Sequence, residues 1–171
     1  MQKNRRSGAL EPPVTEPELE LPAPENARSP ANTWRLLFLD KAENLDRLKE
    51  TSKEVGYVVV GATTIEEANA FLAGKDHVDV IICAAHLEQE SMFTFLKSVR
   101  ESALHRAATF LILSLEPGAV GARLDRSAAG AGMALGANAY VIMPRFDPAH
   151  LLEQIRSLRP AVPVLQTAQA D

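Results

Sequence analysis

Few side chains in this sequence could carry chemistry, and their types and spacing restrict what that chemistry could be. The single cysteine, Cys83, excludes an intrachain disulfide and a zinc site built on paired cysteines. Cys83 lies in the apolar run DVIICAA, Asp79 to Ala85. A thiol there is expected to be inert packing, because reactive cysteines need exposure and a positive environment. His86 follows this run and could share a metal with Asp40 or Glu88. A metal site needs three or four converging ligands, and only two can be named, so no metal is expected. His77, His105 and His150 fall in expected loops or at a helix start and read as solvated. Glu88-Gln89-Glu90 precede an expected helix and suit the positive end of its dipole. The Gly/Ala-rich stretch from Gly118 to Gly136 suggests a phosphate cradle. It lacks Gly-Lys-Ser/Thr, and no G-x-G-x-x-G follows the first apolar run. Neither a catalytic triad nor a pair of carboxylates is recognisable, so no enzymatic activity and no cofactor is expected.

The composition bounds the setting. The chain has 171 residues, room for one ordinary α/β domain. With 18 basic against 22 acidic side chains, its net charge is −4. That balance argues against a dedicated nucleic-acid or anionic-membrane binder. A hydrophobic fraction of 46% suffices for a core. No apolar run approaches the ~20 residues of a membrane span, and no apolar stretch follows the basic residues of the start. A soluble cytoplasmic protein is expected. Residues 1–32 hold six of the eleven prolines, five glutamates and no aromatic residue. Such a segment cannot bury enough surface to offset its ordering entropy and reads as a disordered tail, either a linker or a short docking motif. Residues 160–171 read as a frayed end.

Between the tails, residues 33–159 alternate short apolar runs with amphipathic stretches. Trp34 to Leu39, Tyr57 to Val60, Asp79 to Ala85, Thr109 to Leu115 and Ala139 to Met143 read as strands. Ala42 to Val55 reads as a helix with Ala42, Leu45, Leu48 and Val55 on one side. Thr64-Ile65-Glu66-Glu67 is a capping box for a second helix. Met92, Phe95, Leu96 and Val99 mark a third. A helix approaching Gly136 follows the Gly/Ala loop, and Asp147-Pro148 opens the last. Five βα units imply a parallel sheet covered on both faces, most simply in the flavodoxin-like order 2-1-3-4-5. A site would then lie at the carboxyl ends of the strands, near Asp40, Lys41, Ala84 to His86, Ser114 and Met143. A cobalamin-binding domain of this fold is disfavoured, since no Asp-x-His-x-x-Gly follows the first strand.

With these elements in place, residues 33–159 resemble the receiver domain of bacterial response regulators, of the chemotaxis-regulator (CheY-like) type. The most telling stretch is GANAYVIMPRFDPAHLLEQIRSL, Gly136 to Leu158. It is similar to the family's glycine-alanine turn, aromatic strand, lysine-proline pair and capped last helix. Arg35 to Asp40 resembles the first strand with its acidic end, and Asp79 to Leu87 the strand bearing the phosphorylated aspartate. The resemblance implies an aspartate nucleophile, two acids for Mg²⁺, a hydroxyl and a lysine. In this chain the first acid is Asp40, the second is Lys41, the phosphoacceptor position is Ala84, the hydroxyl is Ser114 and the lysine position is Met143. The aromatic that reports the family's switch is kept as Tyr140. Alanine has no oxygen with which to form an acyl phosphate. Mg²⁺ wants carboxylates, and methionine cannot compensate phosphoryl charge.

These departures imply a degenerate receiver, or pseudo-receiver, that keeps the scaffold without its phosphorylation chemistry. Pro117 to Gly132 adds length between the fourth strand and fourth helix, and Arg145 is inserted between Pro144 and Phe146. Both changes flank the surface that receivers present to partners, so Tyr140 and Arg145 are expected on a partner face. The expected role is a non-catalytic interaction module of two-component signalling. The implied partner is a kinase, an output protein or a second copy of the chain. Two other readings stay open: phosphorylation at Asp40 or Ser114, and small-ligand sensing by the altered pocket. In the family, the peptide corresponding to Met143–Pro144 is cis, and the same is expected here.

Overall fold

Runs rich in leucine, isoleucine and valine form five strands, and amphipathic segments form the helices between them. The structure, a computed structural model, describes residues 33–87, 91–115 and 121–158. Its strands are β1 (Arg35–Leu39), β2 (Val58–Ala62), β3 (Val80–Ala84), β4 (Thr109–Leu115) and β5 (Ala139–Met143). Its helices are α1 (Ala42–Val55), α2 (Ile65–Leu72), α3 (Met92–Glu101), α4 (Gly121–Ala134) and α5 (Pro148–Ser157). The strands pair in parallel in the order β2-β1-β3-β4-β5, the expected flavodoxin-like arrangement. The register sets Leu39 beside Ala62 and Cys83, Ala84 beside Leu113, and Leu115 beside Met143. The carboxyl ends of the strands therefore meet along one edge. Expectations about residues 1–32 and 160–171 lie outside the described residues, as does Glu88.

Alternation along the strands splits the core in two. Leu37, Leu39, Ile81, Cys83, Phe110 and Ile112 pack against α2 and α3. Leu36, Phe38, Val80, Ile82, Leu111 and Leu113 pack against α1 and α5. Burial on both faces explains why the central strands are continuous apolar runs. Cys83 is buried, as expected. The caps match the sequence signals: Thr64 Oγ1 accepts from the Glu67 N–H at 3.1 Å, and Asp147 Oδ1 from the His150 N–H at 3.0 Å ahead of Pro148. Among the described residues, no helix is long and apolar enough to cross a membrane.

Several expectations need correction. On α1, Leu45 and Leu48 are buried with Asn44 and Ser52, whereas Ala42 and Val55 face outward. The stretch from Pro117 to Gly132 is not all loop, because α4 already begins at Gly121. Its alanines favour helix enough to carry glycines that each cost about 1 kcal/mol. Gly132 has a packing reason: a Cβ there would stand 2.5 Å from Ile112 Cδ1. His105 is buried rather than solvated, with Nε2 2.9 Å from the Leu72 carbonyl. The Met143–Pro144 bond is not cis. Trans is the lower-energy isomer by about 0.5–1 kcal/mol.

The amino-terminal edge is fastened by Arg100. It donates from Nε to the Gly136 carbonyl at 2.8 Å, from Nη1 to the carbonyls of Arg106 and Ala108 at 2.9 and 2.8 Å, and from Nη2 to Asn138 Oδ1 at 2.9 Å. A planar fork with fixed donors can reach four acceptors, and an ammonium cannot. Arg100→Lys should therefore destabilise the fold by about 2 kcal/mol, read as a lower urea midpoint, without altering the opposite edge. An unchanged midpoint would mean that the fork is dispensable.

Candidate functional site

The carboxyl edge of the sheet carries two adjacent polar groupings, one an open cleft and one buried. The cleft has a volume of about 480 Å³ and lies between the ends of β1, β3 and β4 and the turn into α5. Asp40 follows β1 directly and is 6% exposed. Its Oδ1 accepts from the Lys41 N–H at 2.7 Å and its Oδ2 from Asn44 Nδ2 at 3.0 Å. Burial pushes its carboxyl above the ordinary carboxylate range, against those two hydrogen bonds and the Lys41 charge. Ala84 ends β3 in the lining, with Leu113 and Leu115. Arg47 on α1 sets its guanidinium 5.3 Å from the Phe146 ring centroid, and Phe146 stacks on Phe38 at 5.7 Å. Lys41, Arg145 and the imidazole of His86 complete this side of the lining.

The structure brings only part of the expected pocket together. Asp40, Lys41 and Ala84 line the cleft. Met143 does not: its side chain is 2% exposed and packs into the core of the α1 and α5 face. Arg145, expected on a partner face, lines the cleft and supplies a cation there. Ser114 lies between the lining residues Leu113 and Leu115, but alternation turns its hydroxyl to the other face of the sheet, where it is fully buried. Among the described residues, no three His, Cys, Asp or Glu side chains are grouped to hold a metal.

The second grouping centres on Asp125 of α4, which is fully buried. Ser114 Oγ lies 3.0 Å from each of its oxygens, and Tyr140 OH donates to Oδ1 at 2.7 Å. His86 Nε2 stands 3.6 Å from Oδ1 while its ring is mostly exposed. The hydroxyl of β4, the phenol of β5 and the exposed histidine beyond β3 thus converge on one carboxylate from a helix. Sequence reasoning missed Asp125. The available signal was an acid placed alone in the Ala/Gly-rich stretch Pro117 to Gly132, which reads as loop by composition. Tyr140, expected on a partner face, is half-buried and donates its hydroxyl to Asp125.

Burial, then the hydrogen bond to Asp125 and its charge, push the Tyr140 phenol up to about 12. A raised folded-state pKa means that folding favours the protonated phenol. Its contribution to stability is complete below pH about 10 and is lost as pH rises towards about 12. Asp125→Asn removes the charge but leaves the burial, so the Tyr140 midpoint should fall part of the way towards 10. Ultraviolet titration of tyrosinate in the variant and parent, each with Tyr57→Phe, measures this directly. An unmoved midpoint would show that Asp125 does not govern the phenol.

No family model matches the sequence, and no curated protein matches it. Solved structures do match. The chemotaxis response regulator CheY4 of Vibrio cholerae is 24% identical with a TM-score of 0.63, over 74% of this chain and 99% of that one. A response regulator receiver protein from Pseudomonas putida is 25% identical with a TM-score of 0.61, over 74% and 98%. A candidate response regulator from Chloroflexus aurantiacus is 28% identical with a TM-score of 0.59, over 74% and 97%. Strand order, register and these matches agree: the chain has the CheY-like fold of response regulator receiver domains.

Proposed function

We propose that this chain is a pseudo-receiver, a non-catalytic interaction module of bacterial two-component signalling that works in the cytoplasm without being phosphorylated. The receiver and response regulator matches support the signalling context. The observation that carries the phosphorylation-independent part is the disposition of the edge groups. At the phosphoacceptor position the cleft has the methyl group of Ala84, and a methyl group cannot attack a phosphoryl donor. The hydroxyl and phenol that would respond to a phosphoryl group are both engaged by Asp125. A ligand shifts a conformational equilibrium only through its different affinities for the two states. Internal hydrogen bonds at Ser114 and Tyr140 hold one arrangement without such a ligand.

On this reading, a signalling protein partner meets the surface of α4, β5 and α5. Ile142 of β5 is 47% exposed there and Met133 of α4 is 47% exposed, which supplies apolar contact area beside Tyr140. Arg145 sits at the rim shared by this surface and the cleft.

Phosphorylation chemistry is tested by incubating the full chain with an acyl phosphate and Mg²⁺ and measuring its intact mass. The expected result is an unmodified mass, with or without Ala84→Asp, because that change leaves Lys41 and Met143 in place. A gain of about 80 Da, one phosphoryl group, on Asp40 or Ser114 of the parent chain would overturn the reading.

A further inference from the structure

The described lining of the cleft carries more lysine and arginine than acid, in a chain whose net charge is −4. Lys41, Arg47 and Arg145 all line it. Among the described residues, every ion pair of a lysine or arginine lies elsewhere: Arg35 with Asp76, Lys53 with Glu50 and Lys97 with Glu101. Among the described residues, the three cleft cations thus have no carboxylate within ion-pair distance. The lining acids are Asp40 and Glu43. Glu43 is exposed, on the first turn of α1. Asp40 is turned into its own hydrogen bonds with Lys41 N–H and Asn44 Nδ2. Arg47 is held in place over Phe146 by the cation–π contact, so its fork is positioned before any ligand arrives. Ala84, Leu113, Leu115 and Phe146 add apolar surface.

We propose that this cleft binds a small organic phosphate directly and reversibly, with Lys41, Arg47 and Arg145 on the phosphate and the apolar surface on the organic part. Guanidinium and ammonium groups are suited to phosphate oxygens, Arg bidentately and Lys as a point charge. A volume of about 480 Å³ falls in the range of small-molecule sites and exceeds what a bare phosphate fills. Direct binding by cations reverses the arrangement of a metal-dependent site, in which carboxylates hold Mg²⁺ and the metal meets the phosphate. The proposal rests on the reading that Ala84 leaves the cleft without a phosphoacceptor. The intact-mass experiment decides that reading separately, since it detects a covalent bond and the present inference requires none.

Calorimetric titration of the full chain with phenyl phosphate, inorganic phosphate and phenol, at low salt and with EDTA, tests the inference. Phenyl phosphate should bind with Kd near or below about 1 mM, inorganic phosphate more weakly and phenol not at all. Arg145→Ala and Lys41→Ala should each weaken phenyl phosphate binding by about tenfold, the change corresponding to ~1.4 kcal/mol, while the unfolding midpoint stays near that of the parent. Absence of phenyl phosphate binding, binding that requires Mg²⁺, or binding unchanged in both variants would overturn the proposal. Unchanged binding would also identify an adventitious site elsewhere on the chain.

Discussion

A carboxylate sealed from solvent must be met by donors, since a buried charge left without them costs several kcal/mol. Asp125 meets this demand with the hydroxyl of Ser114 and the phenol of Tyr140. Those donors come from β4 and β5, and the acceptor comes from α4. One buried group therefore fixes the helix against two strands. Gly132 serves the same approach, since it lets α4 close on Ile112 where a larger residue would collide. Removing Asp125 would leave two part-buried or buried hydroxyls short of an acceptor, and removing either hydroxyl would leave the carboxylate short of a donor. The three are coupled, so their single substitutions should not add.

The sheet explains why this grouping lies so close to the cleft. A parallel sheet covered on both faces has no room for polar side chains along its strands, so they collect where the strands end. Alternation then sorts them. Ala84, Leu113 and Leu115 face the cleft, and Ser114 faces α4. His86 belongs to both sides: it lines the cleft and stands 3.6 Å from Asp125. Any ligand in the cleft therefore lies one side chain away from the group that orders α4, β4 and β5.

The fold was legible because its determinants are local and periodic. β4 and β5 begin and end where their apolar runs do, and the caps of α2 and α5 fall on Thr64 and Asp147 as their side chains require. The site was legible in part. Asp40, Lys41 and Ala84 follow directly from strand ends and lie where expected. Met143, expected in the pocket, packs into the core, and Arg145 lines the cleft; both lie at a turn, and turn geometry has no periodicity to read. Asp125 escaped notice because its partners lie 11 and 15 residues away, and because alanine-rich helix broken by glycines resembles loop by composition. His105 was misread for a related reason: its burial depends on a long-range contact with the Leu72 carbonyl, which no local pattern announces.

The central claim is that Asp125, rather than a phosphoryl group, sets the state of Ser114 and Tyr140. Amide chemical shifts of these two residues in the full chain, recorded as Mg²⁺ and the phosphoryl mimic beryllofluoride are added, test it most directly. The account predicts that both shifts stay fixed under additions that move amides lining the cleft, and that Asp125→Asn alone moves both. Displacement of Ser114 and Tyr140 together by beryllofluoride in the parent chain, with no effect of Asp125→Asn, would contradict it.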